Sequence, residues 1–309
     1  MSYKCKFTYY TVLIFLFASC SSKEPADENY QNIKNNQEVK SDSLNKPAIE
    51  LISKQSHNTI YSFFYLRDQN DVDSFANTFT EKQRRIISDI NRIDEHRINP
   101  VDSIVIPDPL VDSLIFYSPF PSTLITAEDI CKLLLISRKI QAFAAYEYGV
   151  LVKWGPSSLG KESTPTPEGL FFTNWKAKST ISTVNEEWLM KWYFNIHNFR
   201  GISIHEYAMP GYPASHACVR LKAEDAQWFY DWANQWILTP DQQSIMAYGT
   251  PVIIYDTYNF EDIPIWKYLV INADTTLQSN DKIKQVLTPH LDLIIQRQSE
   301  RDSLETNVL

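Results

Sequence analysis

The chain has 309 residues, 44% of them apolar and 13% aromatic, enough to bury the core of a medium domain and a smaller one. Its formal charge of −8 excludes the broad basic face that a nucleic-acid partner requires. All eight tryptophans fall between Trp154 and Trp266, so the main folded body is expected there, with most of them in the core and one or two free to stack on sugar rings.

In chain order, residues 1–19 read as an export signal. Lys4 and Lys6 form a positive start, and the apolar run Phe7–Ala18 is too short for about 30 Å of hydrocarbon. Phe17-Ala18-Ser19-Cys20 resembles a bacterial lipobox, with phenylalanine where leucine is usual. That resemblance implies cleavage before Cys20 and lipidation of it; each buried methylene then contributes about 0.8 kcal/mol to anchoring. Residues 20–57 are rich in Asn, Lys, Glu, Asp and Ser, lack Gly and Trp, and read as a disordered tether with an acidic start, Lys23–Glu28. Cys5 leaves with the signal and Cys20 carries lipid, so Cys131 and Cys218 are the cysteines of the folded body.

A small module is expected over 58–109. Ile60–Leu66 predicts a strand, Asp73–Phe79 and Glu81–Ile93 two helices, and Ile104–Ile106 a second strand. This βααβ order, with Ile90-Asn91-Arg92-Ile93 and Asn99–Pro107, resembles a LysM carbohydrate-binding module in which Gln69–Val72 replaces the usual Gly-Asp-Thr turn. A spacer without glycan affinity fits the same pattern.

The main domain is expected over 136–257. Cys131 lies before it in the helix-like pattern 125–139, ITAEDICKLLLISRK. Lys139–Tyr148 and Val150–Trp154 predict a hairpin across Tyr148-Gly149. Gly169–Thr173, Ile202–His205 and Val252–Tyr255 predict further strands, and Ala223–Leu238 a helix with Phe229, Trp232, Ala233 and Trp236 on one face. Short strands with one good helix make the fold class mainly β, a sandwich or barrel. Residues 258–309 predict a helical C-terminal extension, packed on the domain or making an oligomer, without chemical motifs.

The chemistry concentrates in Ile204–Leu221, IHEYAMPGYPASHACVRL. Cys218 has two imidazoles close in sequence, His205 and His216. A thiol attacks an acyl group at neutral pH only when a neighbouring base takes its proton. A zinc site from these three fits no common ligand spacing, so no metal and no cofactor are expected.

The blocks Gln141…Tyr146-Glu147, Gly160-Lys161…Thr164–Gly169, His205, Pro210–Leu221 and Gly249–Val252 resemble, in order, the L,D-transpeptidase catalytic domain. The resemblance implies a β-rich fold with one packed helix, and action on peptidoglycan stem peptides through a cysteine thioester. It makes Cys218 the nucleophile, His205 the base and His216 the histidine that shapes the acyl pocket. The backbone N–H groups of Ala217 and Cys218 become oxyanion donors, and Ser215, Tyr207 and Arg220 line the substrate site, Arg220 holding a substrate carboxylate or serving structure. His197 and Arg200 could line the cleft. Two residues depart from the pattern. Ala217 replaces a usual glycine and costs about 1–2 kcal/mol if φ is positive there. Glu206 follows the histidine, where its carboxylate either raises the imidazole pKa or points to solvent. The expected function is 3→3 cross-linking or stem trimming at the wall, by a protein exported and lipid-anchored to a bacterial membrane, facing the periplasm or cell wall, with glycan strands as further partners. The competing reading is a non-catalytic peptidoglycan-binding tether.

Overall fold

The computed structural model describes residues 59–98, 102–182 and 185–306. The export signal, Cys20, the tether and Asn99-Pro100-Val101 of the LysM-like motif lie outside the described residues. The chain divides into residues 1–48 and 49–309, and every element below belongs to the second unit.

Strand β1 (Ile60–Tyr65) pairs antiparallel with β2 (Ser103–Asp108), and helices Gln69–Thr78 and Glu81–Ile90 lie between them. This is the βααβ order expected. Both helices start where a side chain can satisfy free amide groups: Asp68 accepts from Asp71 N, and Thr80 with Gln83 forms a reciprocal capping box. Phe75, Ile87, Ile93 and Ile104 form the module's own core. The module is nonetheless joined to the following domain. Asp94 N donates to Met209 O (3.0 Å) and Met209 N to Asp94 Oδ2 (2.8 Å). The buried Arg92 guanidinium donates to Ile140 O at 3.1 Å.

The main domain is built on two sheets. Strands β3 (Leu133–Ser137), β4 (Ala142–Glu147), β5 (Val150–Pro156) and β6 (Gly169–Phe172) belong to a five-stranded sheet; β7 (Lys176–Ile181), β8 (Leu189–His197), β9 (Ile202–Glu206) and β10 (Val219–Leu221) form a four-stranded one. A hairpin of β11 (Ile237–Leu238) and β12 (Ile245–Ala247) follows, and β13 (Pro251–Tyr255) completes the first sheet in the order β5-β4-β3-β13-β6. Leu134, Ile136, Phe143 and Val252 of the first sheet pack with Phe194, Ile204 and Val219 of the second and with Phe229 of helix Ala223–Trp232. Both sheets stay open, so the architecture is the sandwich and not the barrel of the sequence-based expectation.

Three local expectations need correction. The helix-like pattern 125–139 contains strand β3, so the domain starts before residue 136. Leu133 and Leu135 face one core while Leu134 and Ile136 face the other. A strand buried on both faces shows no polar alternation, which is why its sequence passes for a helix. The helix from Ala223 ends at Trp232, not Leu238. Beyond it, Asn234 N donates to Thr250 Oγ1 (2.8 Å) and Trp236 N to Asn174 O (3.2 Å), partners that an extended path reaches and a helix does not. The pattern Lys282–Leu304 forms two helices, Asn280–Leu287 and Leu291–Thr306, broken at Thr288-Pro289, where proline lacks a donor.

The C-terminal helices cover the outer face of the five-stranded sheet through Ile283, Leu287 and Ile294. Gln298 fixes the last of them, accepting from Cys131 N (2.8 Å) and donating to Asp129 O (2.9 Å). No helix among the described residues is long and apolar enough to cross a membrane.

Candidate active site

Strands β9 and β10 run parallel, with Val219 opposite Ile204 and Arg220 opposite His205. Cys218 precedes β10 by one residue and meets Ser203. Its Sγ lies 3.4 Å from Ser203 Oγ and donates to Gly201 O at 3.7 Å. His205 is two residues beyond Ser203, and strand period two puts both on one face. The loop 207–217 folds back between the strands, so residues thirteen apart in sequence line one cavity of about 230 Å³. His205, Tyr207, Ser215, His216, Cys218 and Arg220 all border it.

His205 is 5% exposed, and its Nδ1 lies 2.9 Å from the carbonyl oxygen of Glu206. A carbonyl only accepts, so Nδ1 carries the proton and Nε2 is left as the basic nitrogen. Burial pushes the imidazole down to about 4; the carbonyl opposes this and the positive Arg220 adds to it. The ring is therefore neutral at pH 7. Of the two expectations for Glu206, this removes the one in which its carboxylate raises the imidazole pKa: its backbone carbonyl orients the ring, and the pKa falls.

The sites expected around Cys218 have distinct positions. Ala217 has φ +73°, so the position does demand the left-handed conformation that the usual glycine supplies. Its side chain packs against the sandwich core. Among the described residues, the backbone N–H groups of Ala217 and Cys218 have no acceptor. Ser215 is buried and its Oγ donates to Cys218 O at 2.5 Å, which holds the turn. Arg220 donates to Ala214 O (3.0 Å) and Ala208 O (3.4 Å) and lies over the Tyr207 ring at 4.5 Å, so its guanidinium ties the loop together. The His216 ring packs against Trp188, tilted by 45° with centroids 5.0 Å apart, and its buried Nδ1 has no partner among the described residues. Burial, Lys161 and Arg220 lower its pKa.

The structure adds residues that the sequence did not single out. Ser203 and the Gly201 carbonyl touch the sulfur, and Asn195 Nδ2 donates to Tyr193 Oη (3.1 Å) on the cavity wall. Trp175, just before β7, and Trp188, just before β8, also border the cavity. The alternation of Ser203 with His205 was the one sequence signal for any of these. Arg200 borders the cavity, whereas the His197 ring accepts from Arg200 N (3.4 Å) and is not among the lining residues. Cys131 and Cys218 are free thiols. No group of three or more His, Cys, Asp or Glu among the described residues is arranged to hold a metal.

An open two-sheet domain with a free cysteine and a buried, tautomer-fixed histidine on one cavity wall is the fold and site class defined here. Residues 132–254 match the model of the YkuD family, the L,D-transpeptidase catalytic domain. Solved structures similar to the chain include an L,D-transpeptidase from Xylanimonas cellulosilytica (25% identity, 40% of this chain and 60% of that one, TM-score 0.33). Another is from Mycobacterium tuberculosis H37Rv (23% identity, 41% and 58%, TM-score 0.33), and a third from Mycobacterium smegmatis (20% identity, 41% and 59%, TM-score 0.33). The chain thus spans less than two thirds of these solved chains. No curated protein matches it.

Proposed function

We propose that the protein is a peptidoglycan L,D-transpeptidase that works through a thioester on Cys218. The observation that carries this reading is the shared cavity of Cys218 and His205, with Nδ1 of the imidazole tied to Glu206 O. His205 Nε2 takes the thiol proton as Sγ leaves Gly201 O and attacks the carbonyl of the third, diamino-acid residue of a tetrapeptide stem. The unpaired N–H groups of Ala217 and Cys218 support the oxyanion; one such donor is worth about 10²–10³ in rate. The C–N bond breaks, D-alanine leaves with the proton from His205, and the thioester remains. An amine of a neighbouring stem loses its proton to His205, attacks, and returns sulfur as the thiol, giving a 3→3 cross-link. Water in place of the amine trims the stem.

On this reading the domain works outside the cytoplasm, tethered through lipidated Cys20 and residues 20–57. The βααβ module stands beside it as a candidate glycan contact. The test is mass analysis of muropeptides incubated with the full chain and with Cys218→Ala. New dimers or trimmed stems with the parent and none with the variant are expected; no change with folded parent protein overturns the reading.

A further inference from the structure

The chain carries 37 acidic against 29 basic residues, yet the cavity is lined by two arginines, Arg200 and Arg220, and by no carboxylate. The two arginines differ. Arg220 is engaged with Ala208 O, Ala214 O and the Tyr207 ring. The Arg200 guanidinium has no hydrogen bond or ion pair among the described residues; only its backbone N–H is used, toward His197 Nδ1. Its backbone is fixed by the short turn Asn198–Arg200, closed by Gly201 at φ +61° with Gly201 N donating to Asn198 O (3.2 Å). The next residue, Gly201, presents the carbonyl that touches the Cys218 sulfur. An exposed, unpaired guanidinium thus borders the cavity, on the residue next to the one whose carbonyl touches the Cys218 sulfur.

We propose that Arg200 binds the C-terminal carboxylate of the donor stem's last residue, and so makes this site read the end of the peptide. The inference rests on the transpeptidase reading above and deepens it. The Cα of the leaving residue lies one step, about 3.8 Å, from the Cα of the residue whose carbonyl sulfur attacks. A planar guanidinium pairs with a carboxylate through two parallel N–H···O bonds, which an uncharged amide cannot match. With Arg200 engaged, a stem that ends after the leaving residue is held and one that continues, or ends in an amide, is not. Arg220 cannot substitute, because moving its guanidinium would release the loop 207–217.

The test uses the full chain and three donors: a tetrapeptide stem with a free C-terminus, the same stem ending in D-alaninamide, and the stem with a free C-terminus but its third-residue side-chain carboxylate amidated. Release of the fourth residue gives kcat and KM for the parent, Arg200→Gln and Arg200→Lys, with circular dichroism confirming the fold. The parent is expected to prefer the free-acid donor over the terminal amide by about 10- to 100-fold, and to tolerate the side-chain amide. Arg200→Gln brings the free-acid donor down to the amide's rate, mainly through KM, and Arg200→Lys restores part of the preference. Equal use of both termini by an active parent, a preference that survives Arg200→Gln, or sensitivity to the side-chain amide alone overturns the proposal. A folded parent that releases the fourth residue from none of the donors instead removes the transpeptidase reading and this proposal with it.

Discussion

The imidazole of His205 is anchored by its neighbour's backbone: Nδ1 lies 2.9 Å from Glu206 O, inside a site where the ring is 5% exposed. A backbone carbonyl orients the ring without adding the full negative charge that would hold a proton on it. Burial then wins, and His205 stays neutral down to about pH 4.

Stability should therefore fall on acidification. The folded pKa lies below the ordinary value near 6.5, so the unfolded chain takes up the proton first. The contribution is fully present above pH 6.5 and is lost as pH falls from 6.5 to about 4, amounting to about 3 kcal/mol. Denaturant midpoints across that range check it, and His205→Gln should flatten the loss. The same burial keeps the base form available, so the acid limb of kcat/KM should lie nearer 4 than 6.5.

Ser203 Oγ sits 3.4 Å from the Cys218 sulfur and can donate to it once the thiol is ionised. Ser203→Ala should slow alkylation of Cys218 by iodoacetamide and slow acylation, each about tenfold. An unchanged alkylation rate would remove Ser203 from the account.

Ala217 holds φ +73° at a cost near 1–2 kcal/mol. Ala217→Gly relieves that strain and loses part of the gain to chain entropy, so a net stabilisation of about 1 kcal/mol is expected, read as a Tm rise of about 2–4 °C. A lower Tm would mean that the alanine methyl group contributes more to the core than the backbone strain costs.

Asp94 bonds the loop between the two candidate catalytic residues through Met209, which is fully buried. Asp94→Ala leaves Met209 N without its acceptor and should cost about 1–3 kcal/mol in urea unfolding. Asp94→Asn keeps an oxygen in place and should recover most of it.

The sequence was most legible where chemistry and turns coincide. His205, His216 and Cys218 lie close along the chain, and Pro210, Gly211 and Pro213 mark the fold-back that brings them to one cavity. The hairpin of β4 and β5 was readable from Tyr148-Gly149, and the βααβ module from its alternating and helical patterns. Strand β3 was not, because Leu133–Ser137 is buried on both faces and has no polar phase. Strand β8 was missed too; its inner residues, Phe194 and Ile196, are interleaved with the cavity-lining Tyr193 and Asn195, which blurs the alternation. The sequence left the role of Glu206 open because it displays side chains, whereas the group that holds His205 is a backbone carbonyl. The separate identity of Arg200 and Arg220 was equally hidden, since only the folded loop shows which guanidinium is already engaged.

The most direct measurement is intact-mass analysis after incubation with a carbapenem, a β-lactam that acylates a competent thiol. One adduct on the parent, mapped to Cys218, absent from Cys218→Ala and slowed strongly by His205→Gln, is the result expected. A folded parent protein that stays unmodified, or an adduct that persists when Cys218 is replaced, would contradict the thioester account.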